Sequence, residues 1–250
     1  MNRDLAQYQR DYMNQDYEVF QANYRRRDVL AFLQTVLNGV EKPNVLEIGC
    51  GSEPIFTHFL DFGRMDVVEP GEHFFEIAVS KRSNFPSSDI HIHHSAIQDF
   101  PAKSTYDVIL CAGLLHELSD PEKLLARIKQ LCTNETKVYF NVPNAASFHR
   151  LLALEAGLIR DVRELSETQI RLQQHQTFTL AGLSEMIVDG GFAIVEERSI
   201  IFKPFTHNQM LDLLKHKIIS HEVCDALSNM VVHTSGLGSE LVVIARRRAP

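Results

Sequence analysis

The chain has 250 residues, more than an average domain but within reach of one large α/β unit. Its 25 lysines and arginines against 32 aspartates and glutamates leave a formal charge of −7, which argues against a protein that grips a nucleic-acid backbone over its whole surface. A hydrophobic content of 44% excludes the disordered and collagen-like classes.

The four cysteines, Cys50, Cys111, Cys132 and Cys224, are far apart and form no CxxC pair. Neither a zinc ribbon nor a disulfide framework is expected. Met1 to Leu5 hold no apolar core of a secretory signal. No run approaches the ~18 apolar residues of a membrane span. The expectation is a reduced, cytoplasmic protein with no membrane contact.

The first ~40 residues are polar and helical in period, punctuated by Tyr8, Tyr12, Tyr17 and Tyr24, with Arg25-Arg26-Arg27 on a charged face. Val29-Leu30, Phe32-Leu33 and Val36-Leu37 recur at helical spacing, and Gly39 and Pro43 end that helix. From Asn44 the texture changes. Apolar runs at Val45–Ile48, Met65–Glu69, Ile90–His94, Tyr106–Leu110 and Lys137–Val142 read as strands. Helical segments lie between them at 54–62, 72–82 and 121–132. Such alternation predicts a parallel sheet covered on both faces, with right-handed crossovers. Beyond Val142 the pattern predicts helices over 145–157, 162–173 and 179–189, a strand over 192–200, helices over 206–216 and 219–230, and a last strand over 239–246. There is no internal repeat and no low-complexity tract.

The first strand runs into Glu47-Ile48-Gly49-Cys50-Gly51-Ser52-Glu53-Pro54. The glycines allow a tight turn and close approach of a ligand to the backbone. Glu69 ends the second strand, where a carboxylate can accept the hydroxyls of a ribose. A dinucleotide fingerprint would need glycine at position 54, and Glu47 would repel a pyrophosphate. Both features favour a cofactor without phosphates that carries an ammonium group.

The stretch resembles motif I of class I S-adenosylmethionine-dependent methyltransferases, E/D-x-G-x-G-x-G, with Glu53 in place of the third glycine. Ser95–Phe100, Tyr106–Leu118, Asp120-Pro121 and Gly190-Gly191-Phe192 are similar to further motifs of that family, in the same order. The resemblance is good over about residues 44–200 and extends to a bacterial small-molecule methyltransferase group. It implies a Rossmann-like three-layer α/β/α sandwich with a seven-stranded, mostly parallel sheet, the last strand antiparallel, and added cap helices. It implies S-adenosyl-L-methionine as cofactor, with Glu47 on the ammonium and Gly49, Cys50 and Gly51 along the methionine and ribose. Glu69, with Pro70 beside it, would hold the ribose hydroxyls. Ile97 and Gln98 would flank the adenine, and Asp99 would meet its amine. Cys111 and Ala112 would contact the methionine carboxyl end.

A weakly acidic acceptor gains from a general base, and histidine titrates in the useful range. The candidates are His116, after the fourth strand, and His149 and His175, which flank the segment inserted after the fifth. Each also has a plain packing or capping role open to it. His91, His93 and His94 cannot converge on a metal from one strand, because His91 and His93 share a face while His94 points away, and no metal is expected. Asn141-Val142-Pro143-Asn144 lacks the aromatic that stacks a flipped base, so nucleic acid is not the expected acceptor.

The insertion from Ala145 to Gln174 carries Arg150, Arg160, Arg163 and Arg171. These either form a solvated face with nearby acids or clamp an anionic acceptor. Tyr8, Tyr12 and Tyr17 either pack the leading helix or close over the sulfonium. A single domain is expected: an N-terminal helical lid (1–43), a cofactor-binding half (44–143), a helical cap (144–175), and a C-terminal half (176–250) with a helical insertion at 201–237. The expected activity is methyl transfer to a small molecule, at an oxygen of a sugar or natural-product intermediate. N-methylation and a non-catalytic cofactor-binding partner are the alternatives.

Overall fold

Val45 and Leu46 are neighbours on one strand, both fully buried, and belong to different cores on opposite faces of one sheet. The computed structural model that shows this describes residues 4–14, 16, 19–101 and 104–248. Seven strands form the sheet: β1 (Asn44–Ile48), β2 (Arg64–Glu69), β3 (Ile90–His94), β4 (Tyr106–Ala112), β5 (Cys132–Pro143), β6 (Phe192–Ile200) and β7 (Glu240–Arg247). Their order is β3-β2-β1-β4-β5-β7-β6. β7 runs antiparallel to both neighbours, and β1 to β5 pair in parallel. The Rossmann-like arrangement is the one the family resemblance implies. The order reverses between β1 and β4, which opens a crevice at their carboxyl ends.

Helices α1 (Leu5–Met13) and α2 (Gln21–Val36) precede the sheet. Helix α2 buries Val29, Phe32 and Leu33 against one face, and Phe32 meets Tyr139 of β5 at 5.2 Å between rings. The next helices are α3 (Glu72–Arg82) and α4 (Pro121–Leu131). Asp120 caps α4 by accepting from the Lys123 N–H, and Pro121 occupies its first turn, where no N–H is needed. Leu124, Leu125 and Ile128 then bury one stripe in the opposite core. The cap carries α5 (Phe148–Glu155) and α6 (Glu167–Arg171); α7 (Leu180–Asp189) follows, and α8 (His207–Lys215) and α9 (His221–Asn229) precede β7. Met210 and Cys224 bring α8 and α9 into the same core as α2. All four cysteines are free and buried.

Two expected helices differ. No helix forms over 54–62; a single 3₁₀ turn, Ile55–Thr57, stands there. Glu47 accepts the Ile55 N–H on both carboxylate oxygens (3.0 and 3.2 Å), while Phe56 and Phe59 are drawn into the core. Packing thus overrides the local pattern. In the cap, the helix expected over 162–173 shortens to α6. Gly157, at φ 69°, ends α5, and Arg150 holds the connecting loop by donating to the Val162 and Glu164 carbonyls. Ser166 and Gln169 then open α6 with a capping box.

The chain leaves β6 through Ile201, which sits at φ 60° although it is β-branched. Its carbonyl accepts both the N–H and the hydroxyl of Ser239, each at 2.8 Å. Gly238 lies so close that an added Cβ would stand 2.4 Å from the Ile200 oxygen. Gly238→Ala is expected to force these strands apart and destabilise the protein by about 1–3 kcal/mol, read as a lower urea midpoint at unchanged slope.

Candidate active site

A cavity of about 550 Å³ lies over the carboxyl ends of β1, β2 and β4. Gly49 (φ 73°) and Gly51 (φ 57°) occupy backbone conformations that disfavour other residues, and a Cβ on either would project into open space. The loop is anchored to the tip of β2. Glu69 accepts from the Cys50 N–H (3.1 Å) and the Gly71 N–H (2.8 Å) and is buried. Burial raises its pKa against these backbone donors. Glu47 is also buried. Desolvation carries its pKa to about 8, the Ile55 N–H opposes this, and the Glu69 charge adds to it. A cation arriving here would relieve two desolvated acids at once.

Of the residues expected to touch a cofactor, Glu47, Gly49, Cys50, Gly51, Glu69, Pro70, Ile97, Gln98 and Ala112 line the cavity. Asp99 does not. The 96–100 turn places it in solvent, because Ile97 and Phe100 on either side are drawn into the core. Strand alternation separates Cys111 from Ala112: the Cys111 side chain points into the core, where burial pushes its thiol up to about 12. The cradle's main polar groups are backbone N–H groups and carboxylates, a donor set that fits the ammonium and ribose of S-adenosylmethionine.

The N-terminal segment closes over this end. Tyr8 and Tyr12 line the cavity and pack their rings on Phe74 of α3 at 6.3 and 5.7 Å. The Tyr8 hydroxyl donates to Glu117 (2.9 Å). Asp4 and Gln173 exchange hydrogen bonds at 2.8 and 3.0 Å, which ties the start of α1 to the cap. Tyr17, the third tyrosine considered for a lid, lies outside the described residues.

Among the histidines, His116 and His149 line the cavity. His116 is buried, with Nε2 at 3.9 Å from the Glu117 carboxylate. His175 is exposed; it contributes its N–H, which donates to the His116 carbonyl (3.0 Å). Burial lowers the His149 pKa to about 3, with Lys203 and Arg150 adding repulsion, so its imidazole is neutral at physiological pH. Its Nδ1 lies 3.1 Å from the Ser147 hydroxyl. His91 and His93 pair with Asp89 and Asp66, each at 2.7 Å, and His94 stacks on Phe75. Among the described residues no group of three ligands gathers.

One part of the cavity wall is basic and was not legible from motif order. Arg25 and Lys203 line it, around Glu240 at the start of β7. Glu240 is fully buried. Its carboxylate accepts from Arg25 Nε (2.8 Å) and Nη2 (2.5 Å), Gln21 (2.6 Å) and Asn141 (3.0 Å). Burial opposes its charge, but the guanidinium and these donors hold its carboxyl below the ordinary range. Of the four cap arginines, Arg150 alone lines the cavity; Arg160, Arg163 and Arg171 are exposed. The one available signal for Glu240 was an acid opening a strand that is otherwise apolar, Leu241–Ala245, behind two glycines.

A family model described as a methyltransferase domain matches residues 20–197. No curated protein matches the sequence. Solved structures share the fold at low identity. One is the 1,6-didemethyltoxoflavin-N1-methyltransferase of Burkholderia thailandensis with bound 1,6-didemethyltoxoflavin and S-adenosylhomocysteine. It is 15% identical with a TM-score of 0.60, over 98% of this chain and 88% of that one. The N-methyltransferase NodS of Bradyrhizobium japonicum, in complex with S-adenosylhomocysteine, is 12% identical with a TM-score of 0.58, over 97% and 99%. The magnesium protoporphyrin IX methyltransferase of Synechocystis PCC 6803, with bound S-adenosylhomocysteine, is 11% identical with a TM-score of 0.58, over 89% and 82%.

Glu240→Gln is expected to cost about 1–3 kcal/mol, because it leaves the half-buried Arg25 without its counter-charge. The sign with pH follows from the lowered carboxyl. Its contribution is full above the ordinary carboxylate pKa and is lost as pH falls through the folded value. Unfolding curves at pH 7 and pH 4 should therefore differ less in the variant than in the unmodified protein.

Proposed function

This chain belongs to the methyltransferase domain family with S-adenosylmethionine as its methyl donor, and we propose that it methylates an oxygen of a small-molecule acceptor. The observation that carries the oxygen assignment is His116, buried in the cavity wall between the cofactor loops and the cap. An alcohol or phenol must lose a proton as it is methylated, and a neutral amine need not lose one before it attacks.

The bound donor supplies an electrophilic methyl group on a sulfonium. The residues of the chain do the rest. Glu47 and Glu69 receive the ammonium and the ribose. Arg25 Nη1, whose sister nitrogens are taken by Glu240, stands where a Cβ on Gly113 would meet it at 3.1 Å, and it offers a donor to the carboxylate of the methionine portion. His116 takes the proton of the acceptor hydroxyl, with the Glu117 carboxylate 3.9 Å from its Nε2 and Tyr8 orienting Glu117. His149, neutral and a poor proton acceptor at its lowered pKa, serves as a hydrogen-bonding contact. Helix α1 and the cap exclude water, so alignment contributes much of the rate. These segments, 1–43, 144–175 and 201–237, form one domain with the sheet and carry acceptor recognition.

N-methylation is the second reading, favoured by the N-methylating enzymes among the similar structures. The readings separate on His116→Ala. For an oxygen acceptor, turnover should drop about 10²–10⁴-fold; for an amine it should change little. A pooled screen of sugars, phenols, carboxylic acids and amines with labelled donor identifies the class.

Cofactor binding has its own test. S-adenosylhomocysteine should bind by calorimetry, and Glu69→Ala should weaken it by about 1–3 kcal/mol. Affinity should also rise between pH 6 and pH 8. Free Glu47 keeps its proton up to about 8, the ligand's ammonium favours the carboxylate, and below that pH binding must expel the proton. Glu47→Gln should flatten the slope, which is at most about tenfold per pH unit.

A further inference from the structure

Lys203 is 5% exposed and lines the cavity, yet it has little to hold its charge. An ammonium has three donors. One meets Gln21 Oε1 at 3.2 Å. Among the described residues no carboxylate lies within ion-pair distance of it. Glu240 is the acid that acts on it at longer range, and that carboxylate is already taken by Arg25, Gln21 and Asn141.

The surroundings add positive charge and do not offset it. Arg150 spends its donors on the Val162 and Glu164 carbonyls and on Gln169 Oε1. Lys203 and Arg150 both press on His149, which places the three groups around one region of the cavity. Burial, reinforced by Arg25 and opposed by Glu240, lowers the Lys203 pKa to about 8. A buried cation without a counter-charge is costly unless a ligand supplies one.

The backbone leading to Lys203 is held in an unfavourable shape. Ile201 is β-branched and buried at φ 60°, its carbonyl pinned twice by Ser239, and Phe202 packs on Phe148 of the cap at 5.0 Å. Such outliers persist where the surrounding structure over-determines them, and they concentrate at ligand sites. Here the result is that Lys203 turns inward at the end of β6.

We propose that the methyl acceptor carries an anionic oxyacid group, a carboxylate or a phosphate, and that Lys203 receives it at the cap end of the cavity. The site rests on the methyl-transfer reading above and narrows its substrate class. The carboxylate of the cofactor is the competing anion. Arg25 Nη1 beside Gly113 answers it at the end of β4; Lys203 shares Gln21 with the Arg25–Glu240 pair but leaves β6 toward His149 and Arg150 of the cap.

The test uses the full chain with and without saturating S-adenosylhomocysteine, titrated calorimetrically with benzoate, phenyl phosphate and neutral benzamide. At least one acid should bind tenfold more tightly than benzamide, and the preferred acid identifies the group. Lys203→Met should lose at least tenfold of that affinity while its affinity for S-adenosylhomocysteine stays within twofold. Lys203→Gln, which keeps a hydrogen-bonding end near Gln21, should behave the same way. The proposal is overturned if no acid outbinds benzamide in the unmodified protein, or if both variants bind the acid as well as it does. It is equally overturned if the variants lose tenfold in S-adenosylhomocysteine affinity, since Lys203 would then serve the cofactor. Failure of S-adenosylhomocysteine to bind the unmodified protein overturns the methyl-transfer reading instead, and the titrations without it still report on Lys203.

Discussion

The buried carboxylate of Glu240 and its guanidinium partner Arg25 join the second helix to the last strand, 215 residues apart in the chain. The Glu240 carboxylate inside the protein would be costly without the guanidinium. The pair therefore dictates where α2 lies across the sheet ends, and with it the wall of the cavity. Gln21 and Asn141 complete the shell of Glu240 from α2 and β5. Gln21 also reaches Lys203 through its other side-chain atom, so one network spans α2, β5, β7 and the chain leaving β6.

That network sets a charge gradient along the cavity. Desolvated acids, Glu47 and Glu69, gather at the tips of β1 and β2, where a positively charged cofactor relieves them. Cations line another part of the wall: Arg25 on α2, Lys203 on the chain leaving β6 and Arg150 on the cap. The two groups attract opposite charges, so donor and acceptor would enter with a built-in orientation, a specificity that needs few directional contacts.

Closure depends on segments far apart in sequence. The Asp4–Gln173 exchange ties α1 to the cap, and Tyr8 reaches Glu117 beside His116. The cap in turn donates His175 and Gln176 backbone N–H groups to the His116 carbonyl. His116 is thus fixed in place by the segments that would cover the acceptor, which couples its position to closure.

The sequence by itself determined the order of strands and helices from Asn44 onward, the glycine cradle, and the two acids at the tips of β1 and β2. These are local consequences: period-2 and period-3.6 patterns, a turn that demands positive φ at Gly49 and Gly51, and carboxylates at strand ends. Periodicity did not decide the stretch after Pro54, where capture of the Ile55 N–H by Glu47 and burial of Phe56 and Phe59 replaced a helix with one turn. Nor did it separate Cys111 from Ala112, Asp99 from Gln98, or His175 from His116, because a side chain's direction depends on which neighbour draws it into the core. The basic part of the wall was wholly a matter of tertiary structure. Arg25 sits in an arginine run that reads as a solvated face, Lys203 in a loop, and Glu240 in an apolar strand. Their meaning arises only when the sheet brings them together out of water, where an unpaired charge is costly.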